Sequence, residues 1–194
     1  DIIFNESQRD LLIVNDVYIS GNTITKDKTI RSKLEFEPGD YYDKNKIDKS
    51  IKKITRLPYI NSVKDNVSFE KDSADIGISI DENTKTGNLL LAGSFNADVG
   101  VGVNFGIEDA NVFGSGNRLK SSFSINSEDL KFNINYINYP LSNPNFSNSF
   151  NLYNQENDYT GSFGYKATRY GLGYTLNFNY SDFIKISSGI SYEN

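Results

Sequence analysis

The side chains that most often do covalent and acid–base chemistry are missing, because the 194 residues include no His and no Cys. That removes imidazole-based triads, thiolate nucleophiles and the ordinary zinc ligand sets. Paired carboxylates remain, at Glu108-Asp109 and Glu128-Asp129. Acid–base work needs two carboxylates in different environments, so that one keeps its proton. Both pairs fall at strand ends or turns, where a carboxylate is solvated. Gly100, Gly102 and Gly106 approach a dinucleotide-binding loop, but the spacing is wrong and the segment alternates like a strand. Asn66-Val67-Ser68, Asn145-Phe146-Ser147 and Asn179-Tyr180-Ser181 fit the N-glycosylation pattern, as chance allows in a chain rich in Asn and Ser. No catalytic, cofactor-binding or metal residue is assigned, and the chain reads as a non-enzyme.

The net charge of −5 comes without a basic cluster. Nucleic-acid binding rests on concentrated Lys and Arg, so that partner class is excluded. The longest apolar runs, at 11–14 and 89–92, fall far short of the roughly 20 residues of a spanning helix. No charged start followed by an apolar core opens the chain. Both ends read as cut from a longer protein, with residues 1–10 the end of a preceding segment.

Up to about Asn83 the apolar residues follow the pattern of a small soluble domain. Residues 11–20 read as a strand, ended by the turn signal Gly21-Asn22. Thr25 is placed to cap a helix whose first turn carries Asp27 and whose face carries Ile30 and Leu34. Pro38-Gly39 breaks that helix. Asp43 is placed to cap a second helix, with Ile47, Ile51, Ile54 and Leu57 at helical spacing and Pro58 as its stop. Segments 59–70 and 74–81 follow as strands. The order β-α-α-β-β makes an α+β domain over 11–83, two helices over a three-stranded sheet with a modest core.

After the linker 84–87 the period changes to two. Val99, Val101, Val103, Phe105 and Ile107 are interleaved with Gly100, Gly102, Asn104, Gly106 and Glu108. Tyr170, Leu172, Tyr174, Leu176, Phe178 and Tyr180 are interleaved with Gly171, Gly173, Thr175, Asn177 and Asn179. A strand sends successive side chains to opposite faces, so one face is greasy and the other small and polar. Seven such strands are expected, at 88–96, 99–109, 117–126, 130–139, 148–155, 166–180 and 184–193. Most approach the roughly 9–11 residues of a tilted membrane-crossing strand. Turns fall at 114–117, 126–129, 140–144 and 154–158. Tyr139, Tyr153, Tyr180 and Tyr192 lie near strand ends, as interfacial aromatic girdles do. A soluble β-sandwich also alternates. The glycine-rich polar face and the uninterrupted apolar stripes favour a curved membrane wall. The segment 88–194 is therefore read as an incomplete antiparallel transmembrane β-barrel, since single-chain barrels have about eight strands or more.

Longer motifs carry a resemblance. Val17-Tyr18-Ile19-Ser20-Gly21-Asn22, then Ile24-Thr25 and Ile30-Arg31, resembles the opening of a POTRA domain. Gly39-Asp40-Tyr41-Tyr42, Ile47, Ser50, Leu57-Pro58-Tyr59-Ile60 and Val63 continue that pattern. Asp81 to Gly87 resembles the family's junction into its barrel. Glu108-Asp109-Ala110-Asn111-Val112-Phe113-Gly114-Ser115-Gly116 resembles its second periplasmic-side hairpin, and Tyr170-Gly171 with Gly189-Ile190-Ser191-Tyr192 continues it. In this order the motifs are similar to the BamA family of POTRA-plus-barrel outer-membrane insertases, from the last POTRA domain into the first barrel strands.

The resemblance implies an insertase without reaction chemistry or cofactor. It folds β-barrel clients into the bacterial outer membrane, with the N-terminal domain in the periplasm. Its first barrel strand would be one lip of a lateral gate that templates client strands. Here that strand is Asn88, Leu89, Leu90, Leu91, Ala92, Gly93, Ser94, Phe95 and Asn96. It has no Pro, Lys or other charge, the devices that normally blunt an edge. Glu82, Asn83, Thr84, Lys85, Thr86 and Gly87 would form the POTRA–barrel hinge. Val63, Val67 and Phe69 mark a POTRA edge strand that could bind extended client segments; the alternative is a spacer that docks accessory assembly lipoproteins. The implied partners are unfolded outer-membrane β-barrel clients, those lipoproteins and outer-membrane lipid. Alternative readings are an autotransporter-assembly or two-partner-secretion transporter of the same superfamily, a passive porin-like barrel, and a soluble two-domain binding protein.

Overall fold

The computed structural model describes residues 12–97, 100–143, 145–181 and 183–194. The expected segment 1–10, the first residue of the expected strand 11–20, and Val99 and Pro144 lie outside the described residues. The chain divides into two compact units, one up to Thr23 with Lys33–Asn83 and one of Ile24–Ser32 with Thr84–Asn194.

The first unit holds β1 (Ile13–Ser20), β2 (Ile60–Glu70), β3 (Ser73–Glu82) and the helix Lys44–Thr55. The three-stranded sheet has the order β1-β3-β2, with β3 parallel to β1 and antiparallel to β2. A parallel pair needs a crossover, which the intervening helical segment supplies. Central β3 buries Ala74, Ile76, Ile78 and Ile80 by strict alternation. Val14 and Val17 of β1, Ile47 and Ile54 of the helix, and Phe36, Tyr59 and Ile60 complete this unit's core. Each buried Ile contributes about 1.5–3 kcal/mol. The helix begins as expected: the Asp43 carboxylate accepts from the Asn45 N–H at 2.8 Å. Ser50 is fully buried; its Oγ donates to the Lys46 carbonyl at 2.7 Å and accepts from the Glu35 N–H at 2.8 Å.

The first helix departs from expectation. It is α1 (Asp27–Arg31), a single turn preceding α2 (Lys44–Thr55), and it groups with the second unit. Extended Lys26 occupies its N-cap with no side-chain cap bond. Thr25 is buried and its hydroxyl accepts from the Asn111 amide instead, because a buried amide needs an acceptor. Leu34 lies beyond the helix, which closes where the Ser32 hydroxyl folds back on the Thr29 carbonyl at 2.8 Å. Pro38-Gly39 therefore does not end it.

The second unit carries β4 (Gly87–Asn96), β5 (Gly100–Asp109), β6 (Arg118–Ile125), β7 (Asp129–Asn138), β8 (Phe146–Asp158), β9 (Lys166–Asn179) and β10 (Lys185–Glu193). They form a seven-stranded sheet in sequence order, each strand antiparallel to the next. Its registers join the apolar residues into continuous ribbons. Leu91 pairs with Phe105, Phe105 with Phe123, and Phe123 with Phe132. Farther along, Ile134 pairs with Leu152, Leu152 with Leu172, and Leu172 with Tyr192. The opposite face is polar: Asn104, Ser124, Lys131, Gln155 and Arg169 pair in succession. The apolar face is exposed in this chain: Leu91 is 71%, Phe95 78% and Ile190 78% exposed.

Two expectations need correction here. The strand placed at 148–155 runs from Phe146 to Asp158. Its polar end extends because Gln155–Asp158 continue to pair with Lys166–Arg169, beyond the apolar ribbons. Tyr153 is not part of a girdle on the apolar face. It is out of phase with Leu152 and its hydroxyl donates to Glu193.

Candidate functional site

The seven-stranded sheet has β4 and β10 as its outer strands. β4 is one of them, bonded only to β5 among the described residues. Its pairs with β5 include Leu89–Ile107, Leu91–Phe105 and Phe95–Val101 on the apolar face, and Leu90–Gly106, Ala92–Asn104 and Ser94–Gly102 on the other. Leu89, Leu90 and Leu91 make β4 apolar on both sides at this point.

Several other strand pairs are keyed by side chains. Glu108 of β5 forms ion pairs with Arg118 and, at 3.2 Å, with Lys120 of β6, so it is not a freely solvated charge. Phe146 and Phe150 of β8 stack against Phe178 and Tyr174 of β9, with centroids 4.7 and 5.0 Å apart. Lys166 meets Glu156 at 2.6 Å, and Arg169 meets Glu193 of β10 at 2.9 Å. Among the described residues no side-chain hydrogen bond, ion pair or ring contact joins β4 to β5. The register of β4 rests on backbone bonds and apolar contact alone.

The β5–β6 turn is a second constellation. Asn111 is 2% exposed. Its N–H donates to Asp109 Oδ1 at 2.8 Å, its Oδ1 accepts from the Gly116 N–H at 2.7 Å, and its Nδ2 donates to Thr25 Oγ1 at 2.8 Å. The Gly114 carbonyl accepts from the Lys26 N–H at 2.9 Å and from Thr29 Oγ1 at 3.1 Å. Gly114 sits at φ +70°, and a methyl group there would overlap the Ile24 carbonyl. Phe113 beside it takes φ +53° and is 88% exposed. Asn117 holds the next strand: its Nδ2 donates to the Tyr136 hydroxyl at 2.8 Å and its Oδ1 accepts from the Tyr139 N–H at 2.9 Å. The sequence marks this stretch as a turn; the buried amide is visible only once Thr25 is brought to it.

In the first unit β2 lies at a sheet edge, and Val63, Val67 and Phe69 pair with buried Ile80, Ile76 and Ala74. A strand added at β2 would therefore meet backbone groups, with Phe69 and Tyr42, whose rings are 5.4 Å apart, at its far end. Of the residues at the junction, Glu82 closes β3 and Gly87 opens β4. Asn83 donates its N–H to the Tyr59 carbonyl at 3.0 Å, and Thr86 accepts from the Ala110 N–H at 3.2 Å. Among the described residues no group of metal-ligating side chains is found.

Residues 12–83 match the POTRA family model, described as a surface antigen variable number repeat. The chain is 26% identical over 200 residues to outer membrane protein assembly factor BamA of Buchnera aphidicola subsp. Acyrthosiphon pisum, covering 90% of this chain and 32% of that protein. It is 24% identical over 190 residues to BamA of Neisseria meningitidis serogroup B, covering 92% and 23%. In fold it resembles BamA from Haemophilus ducreyi lacking POTRA domains 1–3, with a TM-score of 0.73 at 23% identity over 94% of this chain and 35% of that one. CdiB from Acinetobacter baumannii gives a TM-score of 0.55 at 18% identity over 95% of this chain and 39% of that one. The chain thus spans a third or less of the length of these two curated relatives. Residues 12–83 match the POTRA family model, and over most of its length the chain is similar to BamA proteins in sequence and in fold, with a POTRA-like unit followed by a seven-stranded antiparallel sheet.

Proposed function

We propose that this chain is the POTRA-to-barrel part of an outer-membrane protein assembly factor. It folds and inserts β-barrel clients by templating their strands at a lateral seam whose one lip is β4. The carrying observation is that β4 is an outer strand of the seven-stranded sheet and carries no charge and no Pro. Unpaired backbone groups in lipid cost several kcal/mol each, so such an edge drives pairing with an incoming strand. The chemistry is hydrogen-bond exchange, with no bond made or broken, and the chain is not an enzyme.

In this reading the POTRA domain spans 11–83 and lies in the periplasm, 84–87 is the linker, and 88–194 begins the barrel in the outer membrane. Glu82 to Gly87 act as a hinge. The apolar ribbons meet lipid. The POTRA unit docks accessory lipoproteins, and its β2 edge is open to an extended client segment. Unfolded outer-membrane proteins are the clients.

The test is proline at Leu91 or Gly93 in the full-length protein. Proline removes a strand N–H and cannot serve a ladder. Client insertion into liposomes should fall while the POTRA unit stays folded; unimpaired insertion by both variants would overturn the seam.

A further inference from the structure

We propose that Asn111 is a positioning residue for client insertion: it clasps Ile24–Ser32 into the second unit, and insertion requires that clasp to be closed. The inference rests on the insertase reading above. The clasp is built, not incidental. A buried amide left unpaired is costly, and both polar atoms of the Asn111 side chain are engaged, one by Thr25 and one by Gly116. Its neighbour Gly114 presents its carbonyl to Lys26 and Thr29 and leaves no room for a side chain against Ile24. Phe113 and Gly114 are successive left-handed residues, and Phe113 pays for that geometry without burying its ring. Such strain persists where the surroundings over-determine it, and it clusters at functional sites.

Chain connectivity gives the clasp its consequence. The chain passes between the two units after Thr23, after Ser32 and after Asn83. A hinge at Glu82 to Gly87 governs only the last passage. The other two are governed by whether Ile24–Ser32 stays with the β5–β6 turn. With the clasp open, this segment is free to follow its chain neighbours, and the turn loses what fills it.

The experiment uses the full-length protein reconstituted in liposomes. Asn111→Ala should lower client insertion by about tenfold, the effect of losing a buried hydrogen bond or two, while the barrel keeps its heat-modifiable mobility on gels. In a second variant Thr25→Cys and Asn111→Cys are bridged by a short bis-methanethiosulfonate reagent; this 194-residue segment has no native Cys. The bridged protein should insert clients at near wild-type rate, and cleaving the bridge with reductant should drop it to the Asn111→Ala rate. Because the bridge is cut after assembly, the test stands even if Asn111→Ala fails to assemble. Wild-type insertion by Asn111→Ala, or indifference to cleavage, overturns the clasp. Amide exchange at Lys26 reads the clasp independently of insertion: protection in wild type that is lost in Asn111→Ala supports it. A wild-type protein that inserts no client overturns the insertase reading instead.

Discussion

Tyr153 lies across Gly171 on the polar face of the sheet, and its hydroxyl reaches Glu193 two strands away. A methyl group on Gly171 would stand 2.6 Å from that hydroxyl oxygen and 2.7 Å from the Tyr192 carbonyl. Glycine here is a slot for a ring. Gly171→Ala should destabilise the β8–β10 part of the sheet by about 1–3 kcal/mol, the cost of overpacking. Tyr153→Phe should lower stability less, because it removes one solvent-exposed hydrogen bond. Urea unfolding of the full-length barrel in detergent micelles reads both, and a harmless Gly171→Ala would show the slot to be dispensable.

The two faces of the sheet should respond oppositely to charge. Val103 lies on the apolar face and Asn104 on the polar one, paired with Gly93 and Ala92 of β4. Val103→Arg should destabilise the assembled barrel by about 2–4 kcal/mol, as cations do near the bilayer midplane. Asn104→Arg should be nearly neutral. Equal penalties, measured by folding into liposomes, would remove lipid from the apolar face.

In the first unit, Ser50→Ala should cost about 1–3 kcal/mol, because it leaves the Glu35 N–H without the acceptor it has at 2.8 Å. Faster amide exchange at Glu35 is the local readout.

Glu35 also carries a pH dependence. The Lys53 ammonium, 2.8 Å away, bonds its carboxylate and holds its pKa below the ordinary value. A carboxyl depressed on folding adds stability above its unfolded pKa of about 4.3, and that contribution disappears as pH falls through the lower folded value. Glu35→Gln should therefore cost well under about 1 kcal/mol at neutral pH, since the pair is partly solvated, and nothing once the carboxyl is protonated. Lys33 works the other way: burial and the nearby Lys53 charge lower its pKa, so its charged form opposes folding below that value. Lys33→Gln should raise the urea midpoint of the POTRA transition at pH 7.

Much of this architecture is written in local pattern. The period of two between Tyr170 and Phe178, or between Val101 and Ile107, marks strand and face without knowledge of any partner. Asp43 marks the start of α2, because its carboxylate serves an N–H two residues on. The unblunted character of β4 is equally a property of its own residues. What local pattern misassigned depends on partners far along the chain. Thr25 looks like a helix cap until Asn111, 86 positions later, claims its hydroxyl. The polar end of β8 looks like a turn until β9 pairs with it. Period and capping follow from the geometry of a few successive residues, so the sequence alone determined the elements and their faces. Buried polar groups must find partners wherever the chain brings them, so only the tertiary structure decided the clasp, the ring slot and the keys between strands.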